Sequence, residues 1–175
     1  LLQKFLLTLV KSVETDKKRR AFILNHFLEG FRTTVFRQTL FAEFERQAHE
    51  AYAAGQPLTA ELLNKMYREL NLKYYEGADV GELHDIEWAR IPHFYNAFYV
   101  YQYATGFCSA VAIADDILRT GDPSRYLKFL TTGGSDYPLE ELKIAGVDLT
   151  KPDTVANALR VFDETLTELE ELLAD

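Results

Sequence analysis

Apolar residues recur every three to four positions along nearly the whole chain, which is the spacing of one face of an α-helix. Leu2, Phe5, Leu6 and Leu9 share such a face and predict a helix over residues 1–13. Thr15 or Asp16 then offers a side-chain oxygen for a new N-terminus. From about 17 to 54 the pattern continues without proline. Leu24, Phe27, Leu28, Phe31 and Val35 form one stripe, and Phe36, Leu40, Phe44, Ala48 and Ala51 carry it on along a drifting face. One long helix is expected there, about 55 Å at 1.5 Å per residue. Gly30 and the Thr33-Thr34 pair are its weak points, where a kink is expected if anywhere. Gly55-Gln-Pro57 is a stop signal.

Thr59 is placed to cap the next helix. Leu62 stands where a capping box wants Glu or Gln, but Glu61 puts an anion in the first turn, where the helix dipole favours it. Leu62, Leu63, Met66, Tyr67 and Leu70 make the apolar face. A loop follows at 77–81, then an irregular or short stretch at 85–92. Helix is expected to resume after Pro92 and run to about Arg119, past Gly106. Asp122-Pro123 suits a cap with proline in the first turn, leading a short helix over 124–130. Pro138 starts another, ending at Gly146, and Asp153 starts the last, to about Leu173. No strand alternation, repeat or low-complexity segment is seen. The expectation is an all-α fold: an irregular multi-helix bundle with one long helix, residues 1–175 forming one domain.

With 175 residues and 47% hydrophobic content, the chain can bury a sizeable core. Its net charge of −8 argues against a general nucleic-acid binder. The charge is uneven: residues 1–20 sum to +4 and residues 163–175 to −6. Each stretch reads as a solvated face, or as half of a pair with the other or with parts of a longer protein. Cys108 is the one cysteine, so no internal disulfide exists, and its apolar neighbours suggest a buried inert thiol. No apolar run reaches the ~20 residues of a membrane span, and Leu1–Val10 lacks the features of a signal peptide. The opening in mid-helix, without a cap, leads us to expect a piece of a longer protein.

A complete catalytic set is not found. His26, His49, His84 and His93 include no i, i+4 pair, so no HExxH helix exists. His49-Glu50 comes nearest, but Ala53 occupies the position of the second ligand and a methyl cannot bind zinc. Gly133-Gly134 lacks the lysine of a phosphate cradle.

One segment stands apart. Of 23 aromatics, seven fall in residues 94–107, among them Tyr95, Tyr99, Tyr101 and Tyr103. On a continuous helix, 95, 99 and 102–103 share a face, and 98, 101 and 105 share the adjacent one. Phenols and a histidine near a helix start supply donors for a peptide carbonyl or an oxyanion. The alternative is a tyrosine-rich packing helix.

Ile91-Pro-His-Phe-Tyr95 with Phe98-Tyr-Val-Tyr-Gln-Tyr-Ala-Thr-Gly106 resembles the oligoendopeptidase F group of the thimet-oligopeptidase-like zinc metallopeptidases. Two further stretches, Asn25–Glu45 and Gly133–Asp148, resemble it in the same order. The resemblance implies the helical C-terminal part of a cytoplasmic zinc-dependent oligopeptidase acting on short peptides. It implies that zinc is bound by an HExxH helix and a later glutamate, both N-terminal to the matched region. This chain would therefore bind no metal and be inactive alone, its partner being the missing catalytic portion. Carried over by position, His93 and Tyr95 become substrate-binding residues. Tyr101 and Tyr99 become the catalytic donors, with Tyr101 the first choice. No nucleic acid or membrane partner is implied. The other reading, of a different class, is a non-catalytic helical module that binds a peptide or protein.

Overall fold

The computed structural model describes residues 1–174. Among these there are eight α-helices and no strand, so the all-α expectation holds. The helices are α1 (Leu2–Val13), α2 (Lys17–Phe31), α3 (Arg37–Ala53), α4 (Ala60–Tyr74), α5 (Tyr101–Thr120), α6 (Ser124–Thr132), α7 (Pro138–Ile144) and α8 (Asp153–Ala174). Between α4 and α5 lie two 3-10 segments, Glu82–Arg90 and Pro92–Tyr95.

Local chemistry explains most boundaries. Asp16 accepts the Arg19 N–H at 3.0 Å and Thr59 accepts the Leu62 N–H at 3.2 Å, each satisfying one orphan donor of a helix start. Gly55 ends the long helical path with φ +80, a conformation glycine adopts without a steric penalty. Between α2 and α3 the path is a π turn, Arg32–Phe36. It coincides with the expected weak point: Gly30 favours helix least, and Thr33, Thr34 and Val35 are β-branched. The Thr39 hydroxyl donates to the Val35 carbonyl at 2.7 Å and satisfies an acceptor there.

The chain divides into two compact units, residues 1–32 with 105–175, and residues 33–104. In the first, α2 packs on α8, with Phe31 meeting Phe107 and Phe162 at ring separations of 4.9 and 5.4 Å. Arg20 and Lys11 both pair with Glu168, so the basic start and acidic end of the chain do meet. Asp175, the last acid of that stretch, lies outside the described residues.

In the second unit, α3 packs on α4, and α4 on the Glu82–Arg90 segment. Leu40, Phe41, Phe44, Tyr67, Leu70, Ile91 and Val100 are its core. Burying one such side chain contributes about 1.5–3 kcal/mol. Tyr67 is fully buried, and its hydroxyl donates to Glu87 at 2.7 Å. Glu87 also accepts from Arg37 at 2.6 Å and pairs with Arg90. Burial pushes the Glu87 carboxyl up, but the Tyr67 hydroxyl and the two guanidiniums outweigh it, leaving the carboxyl below its ordinary range. This carboxylate ties the Glu82–Arg90 segment to the two helices beneath it.

Candidate active site

The tyrosine-rich segment does not form the continuous helix expected of it. Pro92 opens a 3-10 turn that ends at Tyr95, and α5 begins only at Tyr101. The intervening residues make a turn in which the Asn96 N–H donates to the His93 carbonyl at 3.0 Å and the Tyr99 N–H to the Asn96 carbonyl at 3.2 Å. At its centre Phe98 has φ +57, the one positive value among described non-glycine residues. Buried Ile91 and Val100 anchor the two sides of the segment in the core.

This break changes which side chains meet. His93 and Tyr99 stack with their rings 9° from parallel at 5.8 Å. Tyr103, on the first turn of α5, meets both rings edge-on, at 5.7 Å from His93 and 5.6 Å from Tyr99. Its hydroxyl lies 3.3 Å from His93 Nε2 and 3.5 Å from the Tyr99 hydroxyl. The Tyr99 hydroxyl pushes the Tyr103 hydroxyl above the ordinary tyrosine value. Both contacts are longer than a strong O–H hydrogen bond, so the polar atoms form a loose cluster.

Of the four candidates from the sequence, His93 and Tyr99 come together. Tyr95 is 91% exposed at the end of its turn, and Tyr101 is 50% exposed at the first residue of α5. The rings that meet at His93 are those of Tyr99 and Tyr103. Tyr103 was not among the chosen candidates. The signal was its four-residue spacing from Tyr99, which places both on one helical face even though only Tyr103 ends up in the helix.

Glu45 of α3 lies beneath the turn, and its Oε1 accepts the Phe98 N–H at 2.8 Å. His49, one helical turn on, presents its ring to Phe98 at 4.5 Å. Beside them is a largely apolar cavity of about 250 Å³ walled by Phe44, Leu58, Leu63, Trp88 and Phe94, with Tyr95 at its lining.

Two phenols and an imidazole converging from different directions can donate to one oxygen placed among them. Such an arrangement favours an oxygen that carries negative charge over a neutral carbonyl. A metal is a different matter. Among the described residues no group of three or more His, Cys, Asp and Glu side chains gathers as a metal ion requires. His49 faces a phenylalanine, and Ala53 offers no ligand.

The description of peptidase family M3 matches residues 4–161. The chain is 52% identical over 161 residues to oligopeptidase PepF of Bacillus subtilis, covering 90% of this chain and 24% of the relative. It is 53% identical over 171 residues to group B oligopeptidase PepB of Streptococcus agalactiae, covering 95% of this chain and 28% of the relative. The fold superposes on the crystal structure of oligoendopeptidase-F from Enterococcus faecium with a TM-score of 0.90 and 47% identity, over 97% of this chain and 33% of that one. The chain thus spans about a quarter of the length of those two curated relatives.

Proposed function

We propose, since this chain belongs to peptidase family M3, that it forms one wall of the substrate channel of a longer oligopeptidase hydrolysing internal bonds of short peptides. The observation that carries this reading is the convergence of His93, Tyr99 and Tyr103 on a common point. Their role is to bind the oxygen of the scissile carbonyl as it becomes an anion. The zinc that the resemblance implies does not fit the described residues of this chain, and we assign it to other residues of a longer polypeptide. A cytoplasmic location belongs to the same reading. It rests on the resemblance and is consistent with Cys108 being a free, buried thiol.

The chemistry of the three side chains follows from their geometry. They satisfy one another through contacts of 3.3 and 3.5 Å. Contacts this long are cheap to exchange for another acceptor. A neutral carbonyl takes little from them. An oxygen gaining negative charge accepts hydrogen bonds from both phenol hydroxyls, and from Nε2–H in the tautomer that carries that proton, and these bonds are much stronger. Stabilisation therefore grows along the reaction coordinate, which is the condition for accelerating the reaction rather than merely holding substrate. Ring stacking and the buried anchors hold the donors in place beforehand, so little reorganisation is needed when charge develops. Tyr95 and Tyr101 flank the cluster as exposed phenols and are assigned to holding the peptide.

The test is single Tyr→Phe substitution at 95, 99, 101 and 103 in the longer polypeptide. Loss of one oxyanion donor costs about 2.7–4 kcal/mol of barrier. Tyr99→Phe and Tyr103→Phe are thus expected to lower kcat by about 10²-fold or more, with KM little changed. Tyr95→Phe and Tyr101→Phe are expected to act mainly through KM. If Tyr99→Phe and Tyr103→Phe both leave kcat within about threefold, the cluster is packing and the reading falls.

A further inference from the structure

We infer that Glu45 is a positioning residue for the proposed site: its carboxylate on α3 holds the Asn96–Val100 turn in the strained conformation that brings Tyr99 and Tyr103 to His93. The inference rests on the functional reading above. Glu45 places a carboxyl in the buried interior of α3. Glu45 is only 4% exposed, and a carboxyl is costly to bury unless it is matched. The match is a single backbone group from a segment 53 residues away, the Phe98 N–H at 2.8 Å. Phe98 is also where the backbone is least comfortable, since φ +57 crowds the Cβ of a non-glycine residue. Such a conformation persists only where its surroundings over-determine it. Here α3 supplies two restraints from one face: the Glu45 oxygen on the amide and the His49 ring on the phenyl at 4.5 Å.

The consequence falls on the next residue. Tyr99 follows Phe98 directly, and its hydroxyl sits at the end of a long side chain. A small change in the Phe98 dihedrals therefore swings that hydroxyl through a much larger arc. The loose contacts of the cluster, at 3.3 and 3.5 Å, have no strength of their own with which to hold it. The turn must hold it instead, and Glu45 holds the turn.

Two variants in the longer polypeptide separate positioning from plain structure. Glu45→Gln keeps an oxygen acceptor at the same place. Glu45→Leu fills much of the same space with a good helix former and removes the acceptor, so its cost to stability is that of the unmatched Phe98 N–H. Amide hydrogen exchange at Phe98 reads the turn, and kcat against KM reads the site. For Glu45→Gln we expect a protected Phe98 amide and kcat within about threefold. For Glu45→Leu we expect protection to be lost and kcat to fall by about 10²-fold, the effect of a misplacement near 1 Å, with KM unchanged.

Either of two results overturns the inference. One is Glu45→Gln being as impaired as Glu45→Leu. The other is Glu45→Leu keeping kcat while Tyr99→Phe and Tyr103→Phe lose it. If both tyrosine variants keep full kcat, the peptidase-site reading has failed instead. The exchange arm then still decides on Glu45: lost protection in Glu45→Leu supports its hold on the turn, and unchanged protection overturns it. Should Glu45→Leu not fold, the Phe98 amide of the unsubstituted protein decides. Slow exchange supports the bond to Glu45, and exchange at the open-chain rate refutes it.

Discussion

Burial decides the chemistry of Cys108. The side chain is 1% exposed and is pushed up to about 11 by desolvation. A nucleophilic cysteine needs the opposite, an electropositive and partly open surrounding. Cys108 should therefore resist thiol reagents at neutral pH in the folded protein and react in full once denatured. Stoichiometric labelling of the native protein would contradict this. Its apolar neighbours made the thiol's burial readable from the sequence. Phe98 is the opposite case. No glycine marks its left-handed conformation, and the group that stabilises it lies on a helix 53 positions earlier in the chain. That residue and Glu45 could not have been paired by any local pattern.

The same contrast runs through the elements. Helix starts at Asp16 and Thr59 and the stop at Gly55 follow from capping and glycine chemistry, which act within one turn. The π turn at Arg32–Phe36 falls on the Gly30 and Thr33-Thr34 weakness. The late start of α5 at Tyr101 was hidden, because the residues after Pro92 keep helical spacing without a strong breaker. Long-range anchors at Ile91 and Val100 override that propensity. The Glu82–Arg90 segment is likewise tied from outside, by Glu87 to Tyr67 and Arg37.

This tie predicts a pH response. The folded Glu87 carboxyl sits below its ordinary range, so its ionised form stabilises the fold. That contribution is complete above the unfolded value of about 4.3 and is lost as pH falls below it, through the depressed folded value. Tyr67→Phe removes one charge-assisted bond without changing the ring. It should cost about 1.5–3 kcal/mol near neutrality and reduce the loss of stability on acidification. Thermal melts across acid pH check this. A Tyr67→Phe protein as stable and as acid-sensitive as its parent would refute it.

Over the whole molecule, the proposed site is contained in one of the two compact units. His93, Tyr99, Tyr103 and Glu45 all fall within residues 33–104. The other unit, 1–32 with 105–175, carries the ion pairs of Lys11 and Arg20 with Glu168. The chain spans about a quarter of the length of PepF and PepB, and under the proposed function its donors act on a bond whose metal is held by other residues. The central claim is that the cluster recognises the tetrahedral anion and not the peptide itself. The most direct measurement is the inhibition constant of a peptide phosphonate, whose tetrahedral oxygens imitate that anion, set against kcat/KM for the parent, Tyr99→Phe, Tyr103→Phe and the double variant. Transition-state binding predicts that the inhibition constant rises as kcat/KM falls, with a log–log slope of about minus one, while KM stays nearly constant. Phosphonate affinity that stays flat while kcat/KM falls, or that follows KM instead, would contradict the account.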